Sequence, residues 1–171
     1  MRIVKQGDKN GILSHRPVRR AAGLAGALIT AVFSLGAAGA STAQAATQDS
    51  VQTFRNQETG RCVATLYAPW AYAGSCDGRT ETKWNVHQWT DGTRELRSLQ
   101  TGQCLEDTDI VFHNARVNTC HGTRVQSWYV HRWKDGTIEL KNQETGRCLD
   151  DSFAFGLRTY PCNASRFQSW Y

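Results

Sequence analysis

Apolar and polar residues alternate in two segments of the chain that share the same order of side chains. Residues 84–96 read WNVHQWTDGTREL, and residues 128–140 read WYVHRWKDGTIEL. Alternation with a period of two is typical of strands with one buried face, and the Asp-Gly step inside each segment is a two-residue turn signal. Each segment therefore predicts a β-hairpin. No helical periodicity of useful length occurs after residue 46, so we predict an all-β protein of short strands.

A seven-residue phrase recurs along the same part of the chain. NQETGRC occupies residues 56–62 and again 142–148, and a looser copy, SLQTGQC, occupies 98–104. The copies start 42 and 44 residues apart, a period that indicates a repeat architecture. A repeat of this size cannot bury its own apolar face. We therefore expect three repeats of about four strands each to share one core, in a sheet that closes on itself.

The third repeat lacks the hairpin segment that follows the other two. Its tryptophan, Trp170, is followed only by Tyr171. We therefore predict that a strand within residues 47–54 takes the place of the missing one. Both ends of the domain should then meet on the same side of the closed body.

The first 46 residues differ in composition from the rest. Six basic residues precede an apolar run, Ala21–Ala40, which ends in the small residues of Ser41–Ala45. This order is typical of a secretory signal peptide, cut after Ala45 or Ala46. A membrane anchor is the alternative, because the run is about long enough to span a bilayer. The many Gly and Ala residues favour cleavage, so we predict a signal peptide over 1–46, a secreted, extracellular domain over 47–171, and no membrane insertion after cleavage.

The net charge of the chain comes from this leader. The full chain has 20 basic and 15 acidic residues, a charge of +5. The leader holds 6 of the basic and 1 of the acidic residues, so the mature part keeps 20 − 6 = 14 and 15 − 1 = 14 and is formally neutral. A neutral domain gives no reason to expect a nucleic-acid partner.

All six cysteines lie in the predicted domain, one early and one late in each repeat, separated by 14, 16 and 14 residues. An even count in a secreted chain indicates disulfides, although six cysteines allow fifteen connectivities. The repeat favours the symmetric pairing Cys62–Cys76, Cys104–Cys120 and Cys148–Cys162. Each bond would close a loop of about 15 residues and stabilise the fold by about 3 kcal/mol. A zinc site is the alternative, but no C-x-x-C pair occurs.

A tryptophan follows each late cysteine at a spacing of eight: Trp84, Trp128 and Trp170. Large aromatic residues repeated in register predict a shared core. In the second and third repeats the tryptophan ends a Q-x-W triplet, beginning at Gln126 and Gln168, whereas the first repeat has Thr82 at the glutamine position. We expect the two glutamines to bond backbone groups rather than a ligand.

Three copies of TG-x-C followed by Q-x-W, in register and each with a cysteine pair, resemble the ricin B-type β-trefoil lectins. The resemblance covers residues 50–171 and implies a six-stranded barrel capped by three hairpins. The spacing in the third repeat, TGRCLDDSFAFGLRTYPCNASRFQSW, is similar to that of actinohivin-like lectins, whose repeats bind high-mannose glycans. The resemblance implies a monomeric carbohydrate-binding protein with glycans or polysaccharides as partners, no enzyme activity, no cofactor and no metal.

The resemblance also implies which residues bind sugar. A sugar site needs a carboxylate or amide for a pair of hydroxyls and an apolar face for the ring. In actinohivin-like repeats these are an Asp two places after the first cysteine, a Tyr four places before the second, and an Asn just after it. The third repeat keeps Asp150 and Asn163, has Arg158 at the tyrosine position, and has Tyr160 as a stacking aromatic. Arg158 would favour an acidic sugar.

The other two repeats depart further from this pattern. The second has Glu106, Arg116 and His121 at the three positions, and its loop is two residues longer around 109–112. The first has Ala64 in place of the acid and keeps only Tyr72. We predict a working site in the third repeat, a weaker prospect in the second, and loss of the family's site in the first.

Two adjacent acidic pairs, Glu106-Asp107 and Asp150-Asp151, invite comparison with a glycosidase dyad. Neighbouring residues on a strand point to opposite faces, so neither pair forms a dyad. We read Asp150 as facing the ligand and Asp151 as a solvent or turn residue. No nucleophile–base pattern suggests catalysis.

A second hypothesis is a protein-binding or inhibitor scaffold, since a fold does not fix a function. It is motivated by the altered sugar residues of the first two repeats and by the aromatic loop LYAPWAYAG around Trp70.

Overall fold

A computed structural model describes residues 49–108 and 115–171, which are all-β. The predicted signal peptide and the two-residue extension of the second loop lie outside these ranges. The strands are β1 (Ser50–Gln52), β2 (Cys62–Ala64), β3 (Tyr72–Gly74), β4 (Trp84–Gln88), β5 (Arg94–Ser98), β6 (Cys104–Glu106), β7 (Arg116–Asn118), β8 (Trp128–Arg132), β9 (Ile138–Asn142), β10 (Cys148–Ser152) and β11 (Gly156–Tyr160). Single 3₁₀ turns occupy Thr80–Thr82, Arg124–Gln126 and Arg166–Gln168. Over the same two ranges, no helix is both long and apolar enough to cross a bilayer.

The two segments of alternating polarity form the predicted hairpins. β4 pairs with β5 from Trp84↔Ser98 onward, and β8 pairs with β9 from Trp128↔Asn142 onward. The Asp-Gly turns are held by their own side chains. Asp135 Oδ1 accepts hydrogen bonds from the Thr137 amide and hydroxyl at 3.0 and 2.7 Å, and the turn at Asp91 is built in the same way.

A second set of hairpins lies between the paired cysteines: β2–β3, β6–β7 and β10–β11. The three predicted disulfides are present: Cys62–Cys76, Cys104–Cys120 and Cys148–Cys162. Each bond therefore ties one of these hairpins to the segment that follows it. We number the repeats by these hairpins: the first contains β1–β4, the second β5–β8 and the third β9–β11.

The sheet closes as the repeats require. The pair Gln52↔Trp84 between β1 and β4 has the same place as Arg94↔Trp128 between β5 and β8. At the chain ends, Arg55 and Tyr171 exchange two backbone hydrogen bonds of 3.1 and 2.9 Å. β1 thus takes the predicted place of the missing strand, and the two ends of the domain meet.

The three tryptophans fill the shared core, as predicted. Trp84, Trp128 and Trp170 are 0 % exposed and pack with apolar side chains from every repeat. Each indole N–H is satisfied, because it donates to a backbone carbonyl of its own repeat: Val63, Leu105 and Leu149, at 2.9, 3.1 and 3.2 Å. A buried indole without such a partner would lose much of the gain from its apolar burial.

The repeated phrase NQETGRC builds the junctions between repeats. The Arg61 guanidinium of the first repeat forms two hydrogen bonds with Asp151 of the third, at 2.6 and 3.0 Å, and Thr59 also donates to this carboxylate. Asp151 is fully buried. Our prediction that Asp151 faces solvent or a turn was therefore wrong: its strand turns this side chain toward the neighbouring repeat, where Arg61 compensates its charge.

An equivalent junction joins the third repeat to the second. Arg147 of the third repeat binds the buried Asp107 of the second at 2.8 and 3.1 Å, and Thr145 donates to it as well. Both glycines of the phrase, Gly60 (φ 70°) and Gly146 (φ 69°), have the left-handed backbone that favours glycine. The looser copy has Gln103 in place of the arginine, and the first repeat has Thr65 in place of the aspartate. The two exact copies of NQETGRC are therefore the ones whose arginine binds an aspartate of another repeat.

Candidate functional site

The third repeat brings the predicted acid and the predicted arginine into contact. Asp150 and Arg158 face each other across β10 and β11, and Arg158 Nε donates to Asp150 Oδ1 at 2.8 Å. Asp150 is 2 % exposed, while the arginine side chain keeps 19 % of its surface open. A ligand that enters this pocket therefore meets the guanidinium before the carboxylate.

Aromatic rings surround that guanidinium. The Arg158 carbon Cζ lies 4.7 Å from the centre of the Phe155 ring and 4.2 Å from the centre of the Tyr160 ring. Both rings remain exposed. Among the described residues, no hydrogen bond is made by the Nη groups of Arg158. The pocket thus offers charged donors without a partner in the described ranges, beside two exposed aromatic rings.

Gln168 of the Q-x-W triplet holds Asp150 in place through a hydrogen bond. Its side-chain amide nitrogen donates to Asp150 Oδ2 at 3.3 Å and to the Pro161 carbonyl at 3.1 Å. Its side-chain oxygen accepts from the backbone amide of Asn163 at 2.8 Å. Our expectation that this glutamine bonds backbone groups is right, but it omitted the bond to the acid. The Asn163 side-chain oxygen accepts from the Ser165 amide at 3.0 Å, so Asn163 uses this atom within its own turn.

The second repeat has the same register but a different arrangement. Glu106 and Arg116 are opposite each other across β6 and β7, yet the guanidinium lies over the Trp70 ring of the first repeat, 5.4 Å from its centre. Glu106 instead accepts from Asn118 at 3.4 Å and from Gln126 at 3.2 Å. Gln126 also accepts from the backbone amide of His121. Glu106 and His121 are thus joined through one glutamine, without the arginine.

The first repeat places Ala64 opposite Tyr72 across β2 and β3. Ala64 is buried, and Tyr72 is partly exposed. Burial and, next, the negative charge and hydrogen bond of Glu81 raise the pKa of the Tyr72 hydroxyl. A carboxylate is therefore present near Tyr72, although it does not come from the family's position. Asp77, at the asparagine position, instead pairs with Arg79, whose Nε donates to it at 2.7 Å.

Two glutamates lie near disulfides: Glu95 beside Cys104–Cys120 and Glu139 beside Cys148–Cys162, with ligand atoms within 4.8 Å of one another. Metal ions bind thiolates, and these sulfurs are already joined to each other. Burial raises the pKa of both glutamates. In the described ranges these clusters are best understood as partly or fully buried acids next to disulfides.

Sequence reasoning missed three contributors: the Phe155 ring, the Gln168 amide and the Glu81 carboxylate. The role of Gln168 could have been predicted. Gln126 and Gln168 occur in the two repeats that keep an acid, and Thr82 occurs in the repeat that lost it. The sequence gives no such signal for Phe155 and Glu81, because each side chain reaches its site only through the way its own loop folds.

Comparison with known proteins agrees with this geometry. Residues 92–171 match the family model described as the ricin-type beta-trefoil lectin domain. This range begins in the hairpin turn before β5 and contains all of the second and third repeats. No curated protein matches the chain.

Solved structures share the fold over most of the domain. The designed 3-fold symmetric protein ThreeFoil is 17% identical with a TM-score of 0.64, over 70% of this chain and 95% of its own. A GlcNAcα1-4Gal releasing endo-β-galactosidase from Clostridium perfringens is 17% identical with a TM-score of 0.62, over 71% of this chain and 31% of its own. The hemolytic lectin CEL-III is 19% identical with a TM-score of 0.58, over 70% of this chain and 29% of its own.

At these identities the structural matches establish the fold. The predicted β-trefoil of three repeats, with one disulfide in each, is confirmed. The spacing shared with actinohivin-like lectins and the sugar-binding roles of individual residues stay predictions.

Proposed function

We propose that this chain, a ricin B-type β-trefoil, is a secreted carbohydrate-binding protein whose principal pocket lies in the third repeat. The family match over residues 92–171 supports carbohydrate binding as the general function. Secretion rests on the leader sequence. The observation that carries the choice of pocket is the Asp150–Arg158 pair, which is held by Gln168 and enclosed by exposed aromatic rings.

The pocket favours a saccharide that carries a carboxylate, such as a uronic or sialic acid. Arg158 presents its Nη donors outward, and a guanidinium binds a carboxylate through two parallel hydrogen bonds. The Phe155 and Tyr160 rings pack against the guanidinium and lower its contact with water, which strengthens such bonds. The same rings offer apolar faces to the C–H side of a sugar ring.

Asp150 has a double role in this proposal. It orients the guanidinium through Nε, and it supplies remaining acceptor lone pairs for a sugar hydroxyl that reaches past Arg158. Because few side chains would contact the sugar, we expect weak binding by a single site and stronger binding to surfaces that present many copies of the glycan. The second repeat, with Glu106 held but not paired with an arginine, would add only a weaker pocket.

The test is a glycan array probed with the purified, oxidised mature protein, with sialylated and uronic structures beside high-mannose glycans, xylan and galactosides. We expect the strongest signals from acidic glycans. Signals confined to neutral glycans would move the principal site away from Arg158. A blank array with folded protein would favour the scaffold hypothesis, for which the exposed Tyr67 and Trp70 are the motivating observation.

No enzyme activity is part of this proposal. The two acids adjacent in sequence in the third repeat are engaged by different partners, Asp150 by Arg158 and Asp151 by Arg61. They therefore do not flank one bond of a substrate, as a glycosidase dyad must.

A further inference from the structure

The first repeat carries an exposed aromatic surface where the family's sugar site has been lost. Leu66, Tyr67, Trp70 and Tyr72 line a depression of about 330 Å³, and their exposures range from 37% to 70%. Large apolar side chains grouped on a surface commonly mark a binding site. We call these four residues the Trp70 surface.

Trp70 is held firmly although half of it is exposed. Its backbone pairs with Arg116 of the second repeat, and its carbonyl accepts from the Thr65 hydroxyl at 3.1 Å. Neighbouring bonds, Val117 to the Pro69 carbonyl at 2.8 Å and Ala71 to the Ala115 carbonyl at 3.2 Å, fix the loop on both sides of it. The Arg116 guanidinium also packs against the ring. The indole is thus positioned before any ligand arrives, which lowers the entropic cost of binding.

Tyr72 is turned toward an acid by the lack of a side chain at Gly74. A Cβ at this glycine would lie 2.9 Å from Cε2 of the Tyr72 ring, so the ring lies directly across the glycine. The third repeat has Tyr160 at the equivalent position. The side chain of Glu81 is 13% exposed and close enough to hydrogen-bond the Tyr72 hydroxyl, whose pKa it helps to raise.

We propose that the first repeat holds a second carbohydrate site of a different kind, in which Glu81 replaces the acid missing at Ala64 and the Trp70 surface stacks on a neutral sugar. It extends the proposed function without relying on the third-repeat pocket. The Glu81 carboxylate and the Tyr72 hydroxyl supply the polar pair that binds two sugar hydroxyls. Trp70 and Tyr67 supply the apolar face for the ring.

Charge explains why the ligand should be neutral. The Arg79 guanidinium is paired with Asp77 and also lies 3.9 Å from Glu81, and the Arg116 guanidinium packs against the Trp70 ring. Glu81 would repel the carboxylate of an acidic sugar. The two sites therefore divide ligands by charge: acidic saccharides for the third repeat and neutral ones for the first.

The test uses calorimetric titration of the mature protein with neutral linear hexasaccharides of glucose, xylose, mannose and N-acetylglucosamine, and with an acidic oligogalacturonide. We expect at least one neutral hexasaccharide to bind. Trp70→Ala should weaken that binding at least about tenfold, the equivalent of about 1.4 kcal/mol. Glu81→Gln, which keeps the shape of the side chain, should weaken it several-fold. Gly74→Ala should do likewise, because the added methyl group displaces the Tyr72 ring.

Controls separate this site from the principal pocket and from loss of folding. Tyr129→Ala removes another exposed aromatic residue and should leave neutral binding unchanged. Asp150→Ala should abolish binding of the oligogalacturonide but spare neutral binding, so each proposal can fail alone. Thermal unfolding identifies any variant that is not folded, and Trp70→Phe then substitutes for Trp70→Ala.

Three outcomes would overturn the proposal. One is neutral binding that survives Trp70→Ala and Glu81→Gln in folded protein. Another is neutral binding that is lost with Asp150→Ala and so belongs to the third repeat. The last is a wild-type protein that binds none of the neutral hexasaccharides, which would leave the Trp70 surface to a protein partner.

Discussion

The first and third repeats share the longest identical stretch of any pair, yet their pockets have opposite character. Both contain NQETGRC, and both disulfides span 14 residues. Across equivalent hairpins, the third repeat places Asp150 opposite Arg158, and the first places Ala64 opposite Tyr72. One pocket presents a charged guanidinium between rings, and the other an apolar surface beside a displaced acid.

The identical residues and the different residues have separate tasks. The residues before the cysteine form a turn and reach into a neighbouring repeat, where Arg61 and Arg147 neutralise buried aspartates. Residues at other positions after it, such as Asp150 and Arg158, face each other within the repeat's own hairpin and form the proposed pocket. Sequence identity between repeats is therefore evidence about the junctions, and it carries little information about the pockets.

The largest expected effect separates the two pockets directly. Asp150→Ala removes the partner of a mostly buried arginine, and such truncations cost about 2–5 kcal/mol in a complex. Binding of an acidic oligosaccharide should therefore fall at least about 100-fold in calorimetric titration, while the fold persists by circular dichroism. Glu106→Ala in the second repeat is the matched control and should leave acidic binding nearly unchanged. Equal losses in both variants would contradict a principal third-repeat site.

A second substitution tests the shared residues. Arg147→Gln leaves the buried Asp107 charge without its guanidinium and should lower the free energy of unfolding by about 3 kcal/mol. Arg61→Gln should cost less, because the Arg61 side chain is 34% exposed whereas that of Arg147 is 13% exposed. Urea unfolding measures both.

The double variant Arg147→Gln/Asp107→Thr introduces the residue types of the third junction, where Gln103 and Thr65 stand at the arginine and aspartate positions. Since it removes the unpaired charge, it should recover most of the stability that Arg147→Gln loses. A double variant as unstable as Arg147→Gln alone would show that the ion pair is not what the repeated phrase provides.

A third substitution makes the third repeat resemble the first. Arg158→Tyr places a tyrosine opposite Asp150, as Tyr72 stands opposite Ala64. Acidic binding should fall at least about tenfold, since each charge-assisted bond contributes about 1.5–3 kcal/mol, and neutral mannosides should gain. Competition between the two ligand classes on a glycan array would measure this change in preference. Arg116→Tyr is the control and should not alter acidic binding.

The smallest effect concerns pH. Burial raises the pKa of Glu139 above its ordinary value, so the charged form is disfavoured in the folded state. Its contribution to stability is therefore fully present below the ordinary pKa of glutamate and is lost as pH rises through the raised pKa. The equivalent position in the first repeat is Thr53, which has no such contribution.

Glu139→Gln should accordingly raise the unfolding temperature slightly at neutral pH and leave it unchanged near pH 4. A series of thermal melts across mildly acidic pH would measure this. A gain that is equal at all pH values would assign the effect to packing rather than to the raised pKa.

The fold could be predicted well from the sequence because its motifs recur in register from repeat to repeat. The Asp-Gly hairpins, the symmetric disulfides and the buried tryptophans each follow from a local pattern that recurs in register. Repetition removed the ambiguity that a single copy of each motif would have left.

The pockets were predicted less completely because they depend on contacts that cross between loops and repeats. The position of Asp150 followed from the family pattern, but its burial under Arg158 follows from the rings on either side of the guanidinium. Arg116 has the same place in its own hairpin and turns away, because Trp70 of another repeat offers a partner. Asp151 was misread for the same reason, since Arg61 comes from a distant part of the chain.

The most direct test of the third-repeat pocket is a nuclear magnetic resonance titration that follows the arginine Nε–H signals of the mature protein as an acidic oligosaccharide is added. The Arg158 signal, identified from Arg158→Lys, should shift in a saturable manner and keep its protection from exchange, while the Arg116 signal stays in place. An unchanged Arg158 signal, with saturable shifts elsewhere, would contradict the assignment of the ligand to this pocket.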